Sequence, residues 1–241
     1  LYRARNVRQF VEDPEGAIYM ALSDAGVAKI NRATGGVTLY QHDATDPYSI
    51  AINAVYSLRL DGARGLWIGT ENGGLDYLDF GTRRFSHNKF DPNNPTGLNS
   101  NSVWAIHEDA TGTLWLGTFA GGVNISLQNG NAIRRFRSVA GDAASLSFNS
   151  VMSFFEDSHG ATWVATDGGG INRFDRSSGK FQHFSKSNSN LNSDAVLSVT
   201  EDRFGKIWIA TWAGGVSRFD PQTGRFTPYT PKNSGMADDH A

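Results

Sequence analysis

One ten-residue segment recurs five times along this chain and constrains its fold more than any other feature. The clearest copies read LWLGTFAGGV at Leu114–Val123 and IWIATWAGGV at Ile207–Val216. Three further copies occupy residues 18–27, 66–75 and 162–171, and the aromatic residues of the five copies stand 48, 48, 48 and 45 residues apart. A period of this length is typical of repeat architectures rather than of a single enzyme core.

Each copy has the two-residue period of a β-strand. Leu114 and Leu116 face one side and Trp115 and Gly117 the other, and the glycines that follow permit a tight reversal. A second strand is predicted upstream, where a Val stands about twelve residues before each aromatic residue. We expect these valines on the innermost strands: Val7, Val55, Val103, Val151 and Val196.

Two more strands complete each repeat. In the fourth copy they read INRFD at Ile171–Asp175 and KFQHF at Lys180–Phe184, with a polar turn between them. Four short antiparallel strands per repeat predict an all-β fold, a β-propeller of five four-stranded blades with almost no helix. We expect one domain, 1–241, with repeats at 1–48, 49–96, 97–144, 145–189 and 190–235.

The residues after the fifth repeat continue the pattern. Met236 takes the place of the apolar residue five before each valine, and Ala241 the place of the next valine, so a sixth repeat is expected to start at 236–241. This predicts part of a larger, seven-bladed propeller. Its uncovered sheet faces would favour a homo-oligomer, whereas a closed five-bladed ring would stay monomeric, and both remain open.

The amino-acid composition excludes several classes of function. A net charge of −2 gives no reason to expect nucleic acid. The absence of cysteine excludes disulfides and thiolate sites. No run of about 18 apolar residues is present, so this segment is not expected to contact a membrane.

No pattern of chemically active residues predicts catalysis. Carboxylate pairs such as Glu108-Asp109 and Glu156-Asp157 end a strand before a turn, where Asp is expected to cap the turn and Glu to be solvated. The histidines lack the spacing of a metal site, and Gly168–Gly170 joins two strands rather than a strand and a helix. We therefore expect no catalytic residue, no metal and no cofactor.

The string NSVWAIHEDATGTLWLGTFAGGVN at Asn101–Asn124 resembles the two-component regulator propeller repeat. The first copy departs most, with Tyr19 for Trp and only Gly26 left of the glycine pair. The resemblance implies a periplasmic sensor region of a membrane-bound histidine kinase, hybrid regulator or diguanylate cyclase, with the remaining blades and output domains as partners. Two alternatives stay open: a propeller enzyme similar to the streptogramin lyases, and a protein-interaction scaffold.

The repeat fixes every position of the glycine turn except one, and these variable positions include the candidate ligand contacts. Loops on a rigid scaffold often carry binding residues, and aromatic and acidic side chains suit a small polar ligand such as an oligosaccharide. Trp104 is a further candidate, for which packing between blades is the alternative explanation. Phe119 and Trp212 could equally cover their own turns. The variable positions are Ser23, Glu71, Phe119, Asp167 and Trp212, and the candidate ligand contacts are the acidic and aromatic residues among them, Glu71, Phe119, Asp167 and Trp212.

Overall fold

The structure is a computed structural model that describes residues 6–126 and 132–240. The described residues form twenty strands and one short helix. The first two sheets contain β1–β4, Val7–Glu12, Ile18–Leu22, Gly26–Ile30 and Val37–Tyr40, and β5–β8, Val55–Asp61, Gly65–Thr70, Leu75–Asp79 and Phe85–Asn88. The third contains β9–β12, Val103–Glu108, Leu114–Thr118, Gly122–Ser126 and Ile133–Phe136. The fourth contains β13–β16, Val151–Glu156, Thr162–Thr166, Gly170–Asp175 and Lys180–Phe184. The fifth contains β17–β20, Val196–Glu201, Ile207–Thr211, Gly215–Asp220 and Arg225–Tyr229, and α1 follows at Pro231–Ser234.

Each sheet has four antiparallel strands that pair in chain order. In the fourth sheet, for example, Trp163 pairs with Arg173, which in turn pairs with Gln182. The one four-residue helix is the only helix of the described residues. The all-β prediction of five four-stranded blades is therefore confirmed.

The contacts divide the chain into two units, 1–108 with 126–134, and 109–125 with 135–241. In the first unit, β1 packs against β5 and β5 against β9, and in the second unit β13 packs against β17. The first strands of neighbouring sheets therefore pack on one another, as expected if they are the innermost strands. Four of the five valines are fully buried, whereas Val7 is 46% exposed, so the described residues leave one side of β1 uncovered. The single-domain interpretation and the sixth repeat stay predictions, and Ala241 lies outside the described residues.

The second glycine of the turn is needed because the fourth strand passes directly beside it. Gly170 has φ 74°, and a Cβ there would lie 2.2 Å from the Phe184 carbonyl oxygen. All five copies have positive φ and the same close carbonyl, at Gly26, Gly74, Gly122, Gly170 and Gly215. The first copy can therefore replace the first glycine by Ala25 but must keep Gly26.

In four repeats the aspartate before the turn caps that turn through its side chain, and in the last three it also bonds the tryptophan of the repeat. Oδ1 of Asp157 accepts hydrogen bonds from the backbone N–H of His159 (3.0 Å) and Ala161 (2.9 Å), and Oδ2 accepts one from Nε1 of Trp163 (2.8 Å). The capping role predicted for the aspartates is confirmed.

The glutamates beside these aspartates are not all solvated, and that part of the prediction is wrong. Glu201 accepts hydrogen bonds from the backbone N–H and the hydroxyl of Ser158, both at 2.7 Å, in the turn of the preceding sheet. Glu156 likewise accepts the Ala110 N–H at 2.8 Å. The glutamates of the second unit therefore cap a neighbouring turn, because consecutive sheets bring that turn within reach.

Candidate functional site

The glycine turns contact the segments that link one sheet to the next. The N–H of Gly122 donates to the Asn149 carbonyl at 2.8 Å, and the N–H of Gly74 donates to the Asn101 carbonyl at the same distance. Both acceptors stand two residues before the first-strand valine of the next sheet. Turns and linkers therefore lie together at one end of their strands, as the sequence predicted.

In the second unit these loops enclose a polar groove of about 400 Å³, which we call the linker groove. Two linkers and the glycine turn of the fourth sheet form its walls. Hydroxyl, carboxylate, amide and imidazole groups dominate the lining, which includes Ser138, Asp142, Ser145, Ser147, His183, Ser187, Asn188 and Asp194. Such groups donate and accept hydrogen bonds, and the carboxylates of Asp142 and Asp194 give the lining a negative charge.

Hydrogen bonds fix the walls of the linker groove. The Asp194 carbonyl accepts the N–H groups of Gly168 (2.9 Å) and Gly170 (2.8 Å). The Asp194 carboxylate accepts the Lys186 N–H at 2.8 Å. The amide of Asn188 spans the same linker, with its oxygen 2.8 Å from the Ser185 nitrogen. The groove is therefore held in shape before any ligand enters.

Two predicted aromatic residues stand at the tips of glycine turns in the second unit. Trp212 is 58% exposed and Phe119 is 45% exposed, so neither ring is buried over its own turn. The residues that follow them have left-handed backbones, Ala213 at φ 55° and Ala120 at φ 61°. Alanine in this conformation is strained by about 1 to 2 kcal/mol, and such strain is often found at functional sites.

Trp212 is fixed on its backbone but has a free ring face. Its N–H donates to the Ala195 carbonyl and its own carbonyl accepts from the Ser193 hydroxyl, both at 2.9 Å. His240 meets the ring edge to face, with centroids 4.8 Å apart. An exposed indole on a fixed backbone can stack on a ligand at little entropic cost.

The structure brings Glu71 and Trp104 together in the first unit. The Trp104 Nε1–H donates to Glu71 Oε2 at 2.6 Å. The indole also stacks on Tyr56, at 5.4 Å and 9°, and the Arg8 guanidinium lies 4.7 Å from the centre of the Tyr56 ring. Arg8, Tyr56 and Trp104 each follow a first-strand valine, so this stack joins three successive sheets and the packing explanation for Trp104 has direct support.

The other predicted positions lie apart from that stack. Asp167 is exposed in the turn that ends at the linker groove, with its N–H donating to the Ser150 carbonyl at 3.0 Å. Ser23 donates its N–H to the Asn6 carbonyl at 3.1 Å. The sequence did not single out the linker residues Asp142, Ser187 and Asp194, because the linkers vary in sequence between repeats. The only signal was that these linkers are rich in Ser, Asn and Asp.

Most carboxylates and histidines of the described residues serve the fold. His87 bonds the buried Asp76 at 2.7 Å, and burial raises the pKa of Asp76 despite this bond and one from the Ala51 N–H. Asp238, Asp239 and His240 form the one group of described residues that could hold a metal ion, with ligand atoms within 4.8 Å of one another. The histidine spacing in the sequence did not predict this group, which is largely exposed.

No helix among the described residues has the length and apolar character needed to cross a bilayer.

Fold and site together define a β-propeller domain whose loops carry a polar groove and exposed aromatic residues. The family model "Two component regulator propeller" matches residues 97–120, 145–168 and 190–213. Three segments of the chain therefore match the model of this repeat, and the resemblance predicted from the sequence is confirmed.

Solved structures with a similar fold include one extracellular domain of a two-component system and one secretion-system component. One, assigned as the extracellular domain of the hybrid two component system BT3049 from B. thetaiotaomicron, is 26% identical with a TM-score of 0.80, over 98% of this chain and 30% of that chain. This chain thus spans less than a third of that relative. PorZ, a surface component of the type-IX secretion system of Porphyromonas gingivalis, is 14% identical with a TM-score of 0.72, over 98% of this chain and 35% of that chain. No curated protein matches the chain.

An enzyme shares the fold. Virginiamycin B lyase from Staphylococcus aureus, in an inactive form with quinupristin, is 14% identical with a TM-score of 0.69, over 97% of this chain and 72% of that chain. Identity this low shows a common fold alone. The chain resembles the extracellular domain of BT3049 more closely than it resembles this enzyme.

Proposed function

We propose that this chain is a ligand-sensing propeller domain of a membrane-bound two-component receptor, located on the extracytoplasmic side, in the periplasm. The proposal is supported by the family repeats and by the likeness to an extracellular domain of a hybrid two component system. In this proposal the parent protein supplies the output activity and this domain performs no catalysis.

The linker groove carries the proposal for the ligand. Its volume of about 400 Å³ falls in the range of small-ligand sites, roughly 300 to 1,000 Å³. Its lining of hydroxyls, carboxylates and amides matches a ligand with many hydroxyl groups, such as an oligosaccharide. Trp212, exposed on a glycine turn of the same unit, could stack on a sugar ring of a longer ligand.

A binding experiment with matched variants tests this function. The purified chain is screened against an array of soluble oligosaccharides, and a hit is measured by calorimetry. Ser187→Arg places a long side chain in the linker groove. As a control, Asn93→Arg places the same side chain in an exposed linker of the first unit. We expect Ser187→Arg to weaken binding at least tenfold and Asn93→Arg to leave it unchanged.

Other outcomes would redirect the assignment. Equal binding by both arginine variants would remove the linker groove as the site. Binding of the oligosaccharide accompanied by its cleavage would favour the enzyme alternative. A receptor chimera that joins this domain to a known kinase module, and that responds to the hit only when the groove is intact, would support the sensing role.

A further inference from the structure

The buried aspartate of the first repeat lacks two donors that its counterpart in the third repeat receives from the third and fourth repeats. In the third repeat, Oδ2 of Asp109 accepts hydrogen bonds from Trp115 Nε1 (2.7 Å) and from Arg176 Nη1 (2.8 Å). The residues at the corresponding positions around Asp13 are Tyr19 and Phe80. Phenylalanine has no polar atom, and the Tyr19 hydroxyl makes no hydrogen bond with Asp13, whose bonds come from the Glu15 and Ala17 N–H groups.

The described residues satisfy only one oxygen of Asp13. Oδ1 accepts the N–H groups of Glu15 (3.0 Å) and Ala17 (2.8 Å). Among the described residues, none donates a hydrogen bond to Oδ2. Asp13 is only 7% exposed, but Oδ2 is not among the buried side-chain atoms that lack a hydrogen-bond partner, so this oxygen is open to a donor that enters from outside.

A cavity of about 220 Å³ opens beside this carboxylate, and we call it the Asp13 cavity. Tyr19 and Phe80 form an aromatic wall, with stacked rings 5.4 Å apart and 14° between planes. The cavity lies between the first two sheets, at the β1–β2 turn, which is the opposite end of these strands from the glycine turns. It is therefore separate from any site formed by the turns and linkers.

Two cations face the same cavity. Lys29 and Arg83 both line it, and among the described residues neither has a carboxylate within 4.0 Å. The Lys29 ammonium lies 5.1 Å from the Tyr19 ring centre, and hydrogen bonding to the Tyr19 hydroxyl raises the pKa of Lys29, which keeps it charged. The cavity thus presents a carboxylate oxygen without a protein donor, two cations without a carboxylate partner, and two aromatic rings, and Glu15 and Asp79 also line it.

We propose that the Asp13 cavity binds a small zwitterion of the free amino acid class. The ligand ammonium donates to Asp13 Oδ2 and takes the place of the missing indole and guanidinium donors. The ligand carboxylate is bound by Lys29 and Arg83, and its side chain packs on Phe80. Charge-assisted hydrogen bonds at both ends give such a ligand its selectivity.

The experiment uses the purified chain and defined probes. Thermal shift with each of the twenty standard amino acids identifies the strongest binder, which calorimetry then compares with its decarboxylated amine and its deaminated acid. We expect the amino acid to bind at least tenfold more tightly than either analogue. No shift with any amino acid, or equal binding of an analogue, would overturn the proposal.

Three variants locate the site. Tyr19→Trp restores the indole donor to Asp13 and fills the space beside it, so it should abolish binding while the melting temperature is kept or raised. Lys29→Gln, and Arg83→Asn, which suits the left-handed φ of 58° at that position, should each weaken binding at least fivefold. Arg173→Gln, at the position equivalent to Lys29 in the fourth repeat, should have no effect.

The variants remain decisive if one of them fails to fold. If Tyr19→Trp does not fold, Lys29→Gln and Arg83→Asn test the site by themselves. Both are expected to fold, because Arg83 is exposed and Lys29 is only partly buried. Unchanged affinity in both would place the amino acid elsewhere and overturn the proposal. None of these residues lines the linker groove, so oligosaccharide binding there is tested independently.

Discussion

The indole Nε1 of Trp115 lies 2.7 Å from Oδ2 of Asp109, six residues earlier in the chain. Both residues are buried, Trp115 at 1% and Asp109 at 4% exposure. The same bond joins Trp163 with Asp157 and Trp208 with Asp202, at 2.8 Å each. Each of these repeats therefore closes its turn with a hydrogen bond between two side chains that the sequence pattern keeps together.

Removal of the Asp109 carboxylate should strongly destabilise the domain. Asp109→Ala leaves the Trp115 indole, the turn N–H groups and the Arg176 guanidinium without their shared acceptor. Arg176 is exposed, so the main cost comes from the buried Trp115 indole, and a buried donor without an acceptor costs about 1 to 3 kcal/mol. Urea unfolding measures this loss, with Asp24→Ala as an exposed control expected to change stability by less than about 0.5 kcal/mol. A loss below about 1 kcal/mol for Asp109→Ala would contradict the role of this acceptor.

The same carboxylate makes stability depend on pH. Burial alone would raise the pKa of Asp109, but hydrogen bonds from Thr111, Trp115 and Arg176 outweigh it and lower the pKa to about 2. Because the unfolded pKa is about 3.9, the contribution is fully present above that value and is lost as pH falls toward 2. It amounts to about 2 kcal/mol.

Unfolding at a series of pH values checks this dependence. The stability difference between the native chain and Asp109→Asn should be constant above about pH 5 and should shrink as pH falls to 2. A difference that stays constant over the whole range would show that Asp109 does not titrate as described.

The left-handed alanine beside Trp212 should gain from replacement by glycine. Ala213 has φ 55°, a conformation that glycine adopts without strain, so Ala213→Gly should stabilise the domain by about 1 kcal/mol. Ala210→Gly, in the regular strand β18, should destabilise it by about 0.5 to 1 kcal/mol. Thermal unfolding of the two variants distinguishes the predictions by their opposite signs.

The second glycine of the turn should tolerate no side chain. Gly170→Ala adds a Cβ 2.2 Å from the Phe184 carbonyl oxygen, whereas Gly224→Ala, at φ 67°, meets nothing within 4 Å. We expect a loss of about 1 kcal/mol at Gly224 from backbone strain alone and a clearly larger loss at Gly170. Equal losses in urea unfolding would show that β16 moves aside without cost.

The hydrogen bonds that Ser158 donates to Glu201 should stabilise the contact between the fourth and fifth sheets. Glu201→Ala removes the acceptor of two hydrogen bonds. Because Glu201 is only partly buried, we expect the free energy of unfolding to fall by about 1 to 2 kcal/mol. Hydrogen exchange should show faster opening of the turn at Ser158. Glu15→Ala, at an exposed turn position, is the control, and the same exchange rate in both variants would count against this contact.

The sequence by itself determined the repeat, the strand order and the residues that each repeat needs for its own turn. Gly170 and the pair of Asp157 and Trp163 are recognisable without a structure because they act within one repeat and therefore recur at fixed spacing. The polarity of the turns and their place at one strand end were predictable for the same reason.

Only the tertiary structure decided which departures from the repeat matter. Oδ2 of Asp13 lacks a protein donor because Tyr19 and Phe80 both replace residues that donate to the aspartate in the third repeat. Tyr19 and Phe80 belong to different repeats, so the sequence of one repeat does not reveal the loss. The linker groove likewise joins Asp142 with Asp194, from linkers whose sequences follow no common pattern. Contacts between repeats depend on distances that only folding sets. The repeat pattern in the sequence therefore does not predict which residues of different repeats meet.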